Sequence, residues 1–126
     1  MNVLVIGASE NEERYSNRAV KMLFNYGHTV FAIGNRVGKI GDIEIHTSAS
    51  LSVRKEKFPF ENIDTITLYL NAKNQESYHD YILGLNPKRV IFNPGAENPK
   101  LEKMLAEKGI HFEEACTLVM LRTNQF

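Results

Sequence analysis

Short apolar runs rich in β-branched residues alternate with segments of helical spacing along the chain. The first run, residues 3–6, reads Val-Leu-Val-Ile and is stopped by Gly7, a pattern typical of a strand buried on both faces of a parallel sheet. Further runs occupy residues 29–33, 63–70 and 89–92. This alternation predicts an α/β protein with a doubly wound, Rossmann-like parallel sheet between two layers of helices.

Caps and turn residues set the limits of the other predicted elements. Ser16 is the predicted N-cap of the first helix, Asn74 of the second and Asn98 of the third. The glycine-rich stretch 34–41 is predicted to be a loop, and residues 43–45 a short edge strand.

Length and composition favour one globular domain spanning residues 1–126. With 43% hydrophobic and 24% charged residues, the chain has the proportions of an ordinary globular protein. Its 15 basic residues balance 15 acidic ones, so it lacks the basic surplus of a general nucleic-acid binder. The charged run at 54–57 is predicted to be a solvated loop or helix end.

Cysteine usage and hydropathy bear on the cellular compartment. The single cysteine, Cys116, excludes an internal disulfide and a cysteine-cluster zinc site, and it fits a reducing compartment. No apolar run approaches the ~20 residues of a membrane-spanning helix, and the first residues lack a secretory signal pattern. We therefore expect a cytoplasmic protein.

The loop after the first strand is the first candidate for a binding site, because open α/β sheets bind ligands beyond the carboxyl ends of their strands. Gly7 permits a sharp turn and Ser9 offers a hydroxyl, while helix N–H groups attract an anion. The loop to Ser16 is longer than a strand-to-helix connection needs. Arg14 and Arg18 lie near the helix start, where a cation is disfavoured unless an anion compensates. These features predict a bound phosphate or pyrophosphate.

The same loop does not carry a dinucleotide fingerprint. The second and third glycines are missing after Gly7, and the second strand ends in Gly34-Asn35-Arg36 where an acidic residue would hold a ribose 2′-hydroxyl. NAD is therefore not expected. Arg36 and Lys39 offer positive charge for a phosphate at the far end of a nucleotide, the alternative being ordinary surface residues.

The residues give little support for catalysis or metal binding. The four histidines are scattered without metal-ligand spacing, so structural roles are favoured for them. Cys116 lies in an apolar setting without an adjacent base, and an inert thiol is favoured over a reactive one. No nucleophile can be matched with a base, so no catalytic residue is assigned.

A set of short motifs in fixed order spans nearly the whole chain. It consists of Gly7-Ala8-Ser9, Arg14-Tyr15-Ser16, Tyr26-Gly27-His28-Thr29-Val30, Gly41 and Cys116. The set resembles the CoA-binding domain family, especially its small stand-alone members, which are similar to the CoA-binding domain of the succinyl-CoA synthetase alpha subunit. The resemblance implies a Rossmann-like domain that binds CoA or acyl-CoA through its adenine nucleotide and phosphates. The family commonly has a proline where this chain has Glu10.

The resemblance also assigns residues to the ligand. It matches Asn35 and Arg36 with the segment after the second strand, and Asn93 and Gly95 with a strand-end loop of the second half. Its matches to the phosphate-side loop are Gly7, Ala8, Ser9, Arg14 and Ser16. With three residues chosen by position, the predicted ligand-binding set is Gly7, Ala8, Ser9, Arg14, Ser16, Arg18, Asn35, Arg36, Lys39, Asn71, Asn93 and Gly95.

Three functions remain open from the sequence. The first is a CoA or acyl-CoA binding protein without catalytic residues. The second is a small NADP-dependent or other nucleotide-using enzyme, because Arg36 stands where a 2′-phosphate would be met. The third is an interaction protein with a degenerate ligand site, forming a homodimer through its apolar tail and edge strand. None of them involves nucleic acid or a membrane.

Overall fold

The computed structural model describes residues 1–48, 60 and 62–126, so the charged run at 54–57 lies outside the described residues. The strands are β1 (Asn2–Ala8), β2 (Thr29–Gly34), β3 (Gly38–Ile40), β4 (Ile43–His46), β5 (Thr65–Leu68), β6 (Arg89–Phe92) and β7 (His111–Glu114). The helices are α1 (Tyr15–Asn25), α2 (Ala72–Gln75), α3 (His79–Leu85), α4 (Pro99–Glu107) and α5 (Thr117–Arg122), with a 3-10 turn, Glu76–Tyr78, between α2 and α3. Within this described part of the chain, every helix is too short or too polar to cross a membrane.

The seven strands form one sheet in the order β3-β4-β2-β1-β5-β6-β7. All neighbouring strands are parallel except β3 and β4, which are antiparallel. The chain builds outward from β1 on one side and from β5 on the other, so the topological switch point lies between these two strands. The predicted doubly wound, Rossmann-like sheet is confirmed.

The two faces of the sheet carry separate hydrophobic clusters, as the alternation of side chains along a strand requires. In β1, Val3 and Val5 pack in a cluster with residues of α1 and α5. Leu4 and Ile6 face the opposite side and pack in a cluster with residues of α3 and α4. All four side chains are fully buried. Burial on both faces explains why this run is apolar throughout, and it gives the three-layer arrangement of helix, sheet and helix.

The predicted start of the first helix is wrong by about two residues. Helix α1 begins at Tyr15, with Arg14 at the N-cap position and no side-chain cap. Ser16 is buried inside the first turn. The chain turns earlier than the sequence suggested because the backbone N–H of Arg14 already bonds the carbonyl of Asn11 at 3.0 Å.

The cap of the second helical segment was also misplaced, whereas the third was correct. Asn71 caps α2, its Oδ1 accepting the backbone N–H of Asn74 at 2.9 Å, so Asn74 lies inside the helix. In α4, Oδ1 of Asn98 accepts the N–H of Leu101 at 3.2 Å, as expected for an N-cap followed by proline.

The segment between β2 and β4 was predicted to be a loop, but it contains β3. Gly38 and Ile40 pair with Ile45 and Ile43 of β4, so β3 is the edge of the sheet and β4 lies inside it. The prediction failed because glycines weaken local strand signals, while pairing with a neighbouring strand overrides them.

Candidate functional site

A cavity of about 610 Å³ opens at the carboxyl ends of β1, β2 and β5, at the switch point of the sheet. It is lined by Gly7, Ala8, Ser9, Glu10, Asn11, Arg14, Tyr15, Ser16, Asn35, Arg36, Tyr69, Leu70 and Pro94. These residues come from the end of β1 and the loop after it, from the start of α1, and from the segments that follow β2, β5 and β6. A cavity of this size and position is the ordinary ligand site of an open α/β sheet.

Gly7 shapes the floor of the cavity. Its φ angle is +99°, which side-chain-bearing residues rarely adopt, and a Cβ atom there would stand 3.0 Å from the backbone carbonyl carbon of Tyr69. The chain therefore leaves β1 in close contact with the residue that follows β5. Only glycine allows this turn without strain.

The loop after Gly7 is held by its own short hydrogen bonds. Oγ of Ser9 accepts the backbone N–H of Asn11 at 3.1 Å, and Oδ1 of Asn11 accepts the N–H of Glu13 at 3.0 Å. The buried Asn17 donates Nδ2–H to the carbonyl of Ser9 at 2.9 Å. Because the Ser9 oxygen acts as an acceptor within the loop, its own O–H proton can be donated to a ligand.

The start of α1 gives the cavity a positive end. No side chain caps the first N–H groups and no acidic residue lies in the first turn, so these donors and the helix dipole favour an anion. Arg14 adds a full positive charge beside them. Arg18, one turn further, is outside the cavity lining, and its guanidinium lies 5.7 Å from the centre of the Tyr15 ring.

Charged and polar side chains also line the cavity on the β2 side. Asn35 and Arg36 follow β2 and are exposed there. Glu10 reaches this side from the preceding loop, and its Oε2 accepts the backbone N–H of Lys39 at 3.0 Å. Lys39 is not part of the cavity lining, and its observed link to the site is the hydrogen bond from its backbone N–H to Glu10.

Asn93, which follows β6, faces into the protein, whereas Asn71, which follows β5, is exposed. Asn93 is 1% exposed, and its Nδ2 donates to Oγ1 of Thr67 at 2.6 Å and to the carbonyl of Leu68 at 2.9 Å. Its Oδ1 accepts the backbone N–H of Thr117 at 2.8 Å. These bonds join β5, β6 and α5 and use both ends of the amide.

The cavity brings together seven of the twelve residues predicted to bind a ligand. These are Gly7, Ala8, Ser9, Arg14, Ser16, Asn35 and Arg36. The other five lie outside its lining: Arg18, Lys39, Asn71, Asn93 and Gly95. Sequence reasoning missed Glu10, Asn11, Tyr15, Tyr69, Leu70 and Pro94. Each of the six lies within two residues of a predicted one in the chain, and this proximity was the signal that could have found them.

Tyr69 is the most buried titratable group of the cavity wall. Burial raises the pKa of its phenol well above the usual range. The phenol therefore stays protonated at neutral pH and is not available as a general base.

The sequence matches the family model described as CoA binding domain over residues 1–122. The chain belongs to the CoA-binding domain family. Family membership supports CoA binding as the general activity of this CoA-binding domain, and it agrees with a cavity at the switch point that presents helix N–H groups and arginines. The domain matches no curated protein.

Solved structures share the fold of this CoA-binding domain. A crystal structure of an uncharacterized protein is 41% identical, with a TM-score of 0.88, and the match covers 99% of this chain and 97% of the other. A protein from Thermus thermophilus, cell-free ID.343, is 21% identical, with a TM-score of 0.79 and coverages of 99% and 90%. A hypothetical protein from Pyrococcus horikoshii OT3 is 20% identical, with a TM-score of 0.78 and coverages of 92% and 78%. The last two show the fold alone.

Proposed function

We propose that this domain binds CoA or an acyl-CoA, with the ligand's phosphates at the loop after β1, and that it performs no reaction on the ligand. The observation that carries the proposal is the cavity at the switch point, where Gly7, Ser9 and the uncapped start of α1 meet Arg14 and Arg36. Backbone N–H groups and arginines are the donors that a pyrophosphate requires.

The donors of the site act together on one anionic group. The Ser9 hydroxyl proton and the N–H groups of the first turn of α1 donate hydrogen bonds, while Arg14 supplies charge from the same loop. Arg36 supplies charge from the opposite side, after β2. A diphosphate linking an adenosine to a longer arm fits a site with positive groups on two sides.

Binding without catalysis is proposed because no serine hydroxyl among the described lining residues is hydrogen-bonded to a base, and the Glu10 carboxylate accepts the backbone N–H of Lys39. Neither histidine nor cysteine is among its described lining residues, and burial keeps the Tyr69 phenol protonated. A thiolase, hydrolase or transferase acting on acyl-CoA needs a nucleophile or a base within hydrogen-bond reach of the reacting carbonyl. We therefore expect acetyl-CoA to bind without release of its thiol.

Calorimetric titration and thermal shift with CoA, acetyl-CoA, NADPH and ATP test the proposal. The expected result is heat and a rise in Tm with CoA and acetyl-CoA, and little or none with the other two. No heat with CoA at high protein concentration would overturn it, and selective binding of NADPH would favour a nucleotide-using enzyme. In a thiol assay, acetyl-CoA should release its thiol no faster with the protein than in buffer alone.

Two arginines four residues apart provide a matched pair of variants. Arg14→Ala removes a cavity-lining charge, and Arg18→Ala removes the same side chain one turn later, outside the cavity. We expect Arg14→Ala to weaken CoA binding by about tenfold, the value of one charge-assisted contact, and Arg18→Ala by less than about twofold. Equal losses would mean that only the overall charge of α1 matters.

A further inference from the structure

The chain leaving β1 passes the carboxyl end of β2: Ala8, the last residue of β1, lies beside Gly34, and Glu10 in the following loop reaches β3. At Gly34, the last residue of β2, an added Cβ atom would collide with the backbone carbonyl of Ala8. At Gly38, the first residue of β3, it would collide with the carboxyl group of Glu10. Two glycines thus make room for this segment, which passes the end of β2 and reaches the edge hairpin of β3 and β4.

The carboxylate of Glu10 has a fixed position at the end of this segment. Its Oε2 accepts the backbone N–H of Lys39 at 3.0 Å, and β3 is itself held to the sheet by its pairing with β4. One carboxylate oxygen is engaged in this way. Glu10 also lines the cavity, together with Asn35 and Arg36. A negative charge is therefore held beside the end of β2 and within reach of a ligand.

In dinucleotide-binding sheets, a carboxylate at the end of the second strand recognises the ribose of the ligand. An acidic residue at the end of the second strand accepts hydrogen bonds from the ribose hydroxyls, and a phosphate on that ribose is repelled unless an arginine replaces the acid. In this chain β2 ends in Gly34 and is followed by Asn35 and Arg36, none of them acidic. Glu10 brings a carboxylate to the same end of β2 from a different part of the chain.

We propose that Glu10 is the ribose-recognising carboxylate of this site and that it disfavours a phosphate on the ligand's ribose. The proposal rests on the proposed function, and it specifies which CoA-type ligands the site prefers, namely those whose ribose carries no phosphate. Among CoA-type ligands, dephospho-CoA presents both hydroxyls to the carboxylate, whereas CoA presents a 3′-phosphate. Glu10 lowers the affinity for CoA relative to dephospho-CoA.

Arg36 does not cancel this charge. Neither Glu10 nor Arg36 belongs to an ion pair within the described residues, so Glu10 is not neutralised by a neighbouring side chain. Both side chains are exposed, but the Glu10 carboxylate is held by a hydrogen bond from the backbone N–H of Lys39. The anchored group keeps its place when the ribose binds, and the arginine is free to meet the diphosphate.

The test is calorimetric titration of CoA and dephospho-CoA into the wild type, Glu10→Gln and Glu13→Gln. The Glu10→Gln side chain keeps its size and an oxygen for the Lys39 N–H but loses the charge. Glu13→Gln makes the same charge change in the same loop, outside the cavity lining. We expect the ratio of the Kd for CoA to that for dephospho-CoA to fall by about tenfold in Glu10→Gln, the scale of one close pair of like charges, and to stay constant in Glu13→Gln.

The wild type alone provides an independent test, in which the Kd values for CoA and dephospho-CoA are measured at several salt concentrations. The test is whether the ratio of the two Kd values rises or falls with salt. Added salt screens both attraction and repulsion. Repulsion of the 3′-phosphate by Glu10 predicts that the ratio of the two Kd values falls as salt is raised, whereas attraction by Arg36 predicts that it rises.

The outcomes separate the two proposals. An unchanged ratio in Glu10→Gln, an equal change in Glu13→Gln or a ratio that rises with salt would overturn the role of Glu10 while CoA binding stands. Failure of the wild type to bind either ligand would overturn both proposals. A fall in the ratio confined to Glu10→Gln and a fall with salt support ribose selection.

Discussion

Two regions at the same edge of the sheet use their polar side chains in opposite ways. After β1, Ser9 and Arg14 line a cavity, and none of the described residues accepts a hydrogen bond from their side chains. After β5 and β6, the side chains bond one another inside the protein. Gln75 donates to the carbonyls of Leu70 and Ala96, both at 2.7 Å, and its Oε1 accepts from Asn98 at 2.9 Å.

The difference shows what makes a strand-end polar residue a candidate for ligand binding. Position at the carboxyl end of a strand is shared by Ser9 and Asn93, but Asn93 is fully engaged by Thr67, Leu68 and Thr117. Buried polar groups are as a rule hydrogen-bonded within the protein, and the Asn93 amide uses both its donor and its acceptor end to hold three elements together. The unused bonding capacity distinguishes the first region from the second.

The largest expected effect comes from breaking the internal network at Asn93. Asn93→Ala leaves the Thr117 N–H and the Leu68 carbonyl without this partner, and we expect the free energy of unfolding to fall by about 3 kcal/mol. Urea denaturation measures this. The milder substitution Asn71→Ala removes only a helix cap and should lower the free energy of unfolding by about 1 kcal/mol.

Ligand binding provides the contrasting measurement for these two variants. Because neither residue lines the cavity, the affinity of the folded protein for CoA should stay within about twofold of the wild type. A strong loss of affinity in Asn93→Ala at temperatures where it is fully folded would mean that the second region also contacts the ligand.

The second prediction compares two glycines, one in each region. Gly7 and Gly95 both have positive φ, +99° and +92°, but only at Gly7 would a Cβ meet a neighbour within 4 Å. We expect Gly7→Ala to lower the free energy of unfolding by about 2 kcal/mol and to weaken CoA binding, because strain is combined with close contact to Tyr69. Gly95→Ala should lower the free energy of unfolding by about 1 kcal/mol, because only the positive φ angle disfavours a side chain there.

Equal losses of stability in these two variants would show that the close approach of residue 7 to Tyr69 adds nothing to the destabilisation caused by the positive φ angle. Chemical denaturation of both proteins, followed by calorimetry with CoA, decides the point. The comparison is matched because the same methyl group is added at the same kind of φ angle in each strand-end region.

The third prediction concerns two cations that lie close together in the chain after β2. Arg36 lines the cavity and Lys39 does not. Arg36→Ala should weaken CoA binding by about tenfold, or about 1.4 kcal/mol, while Lys39→Ala should change it by less than about twofold. Because the Lys39 backbone N–H survives its substitution, the contact with Glu10 is kept. Equal or reversed effects would remove Arg36 from the site.

The central strands could be predicted from the sequence because their cause is local. Residues of β1, β5 and β6 are buried on both faces, so each reads as an uninterrupted apolar or β-branched run. The capping residue Asn98 was likewise visible, since an N-cap acts on residues within one turn.

The rest depends on contacts between distant residues, which local patterns do not reveal. Strand β3 is held by its pairing with β4 and by Glu10, 29 residues away from Lys39. The inward orientation of Asn93 depends on Thr67 and Thr117, 26 and 24 residues away. The cavity lies at the loop after β1, where the sequence predicted a ligand site. Which residues line it on the β2 and β5 sides depends on the three-dimensional arrangement.

The smallest expected effect belongs to Glu102, a carboxyl in the second region that is not stabilised by its surroundings. It lies on α4 near Glu114 of β7, and burial together with the neighbouring Glu114 raises its pKa above the ordinary value. A raised pKa in the folded state means that its favourable contribution is complete below the unfolded-state value, about 4.3, and is lost as pH rises through the folded value. Glu102→Gln should therefore be more stable than the wild type at neutral pH.

After allowance for solvent screening, the gain from Glu102→Gln is expected to be about 0.5 kcal/mol at pH 7 and to vanish below about pH 4. Denaturation of both proteins across this pH range measures it, with the exposed Glu13→Gln as the matched loss of one carboxylate. A constant difference at every pH would point to packing rather than titration. A loss of stability at pH 7 would mean that the Glu102 carboxylate is satisfied within the second region, as Asn93 and Gln75 are, and the contrast between the two regions would then extend to charged groups.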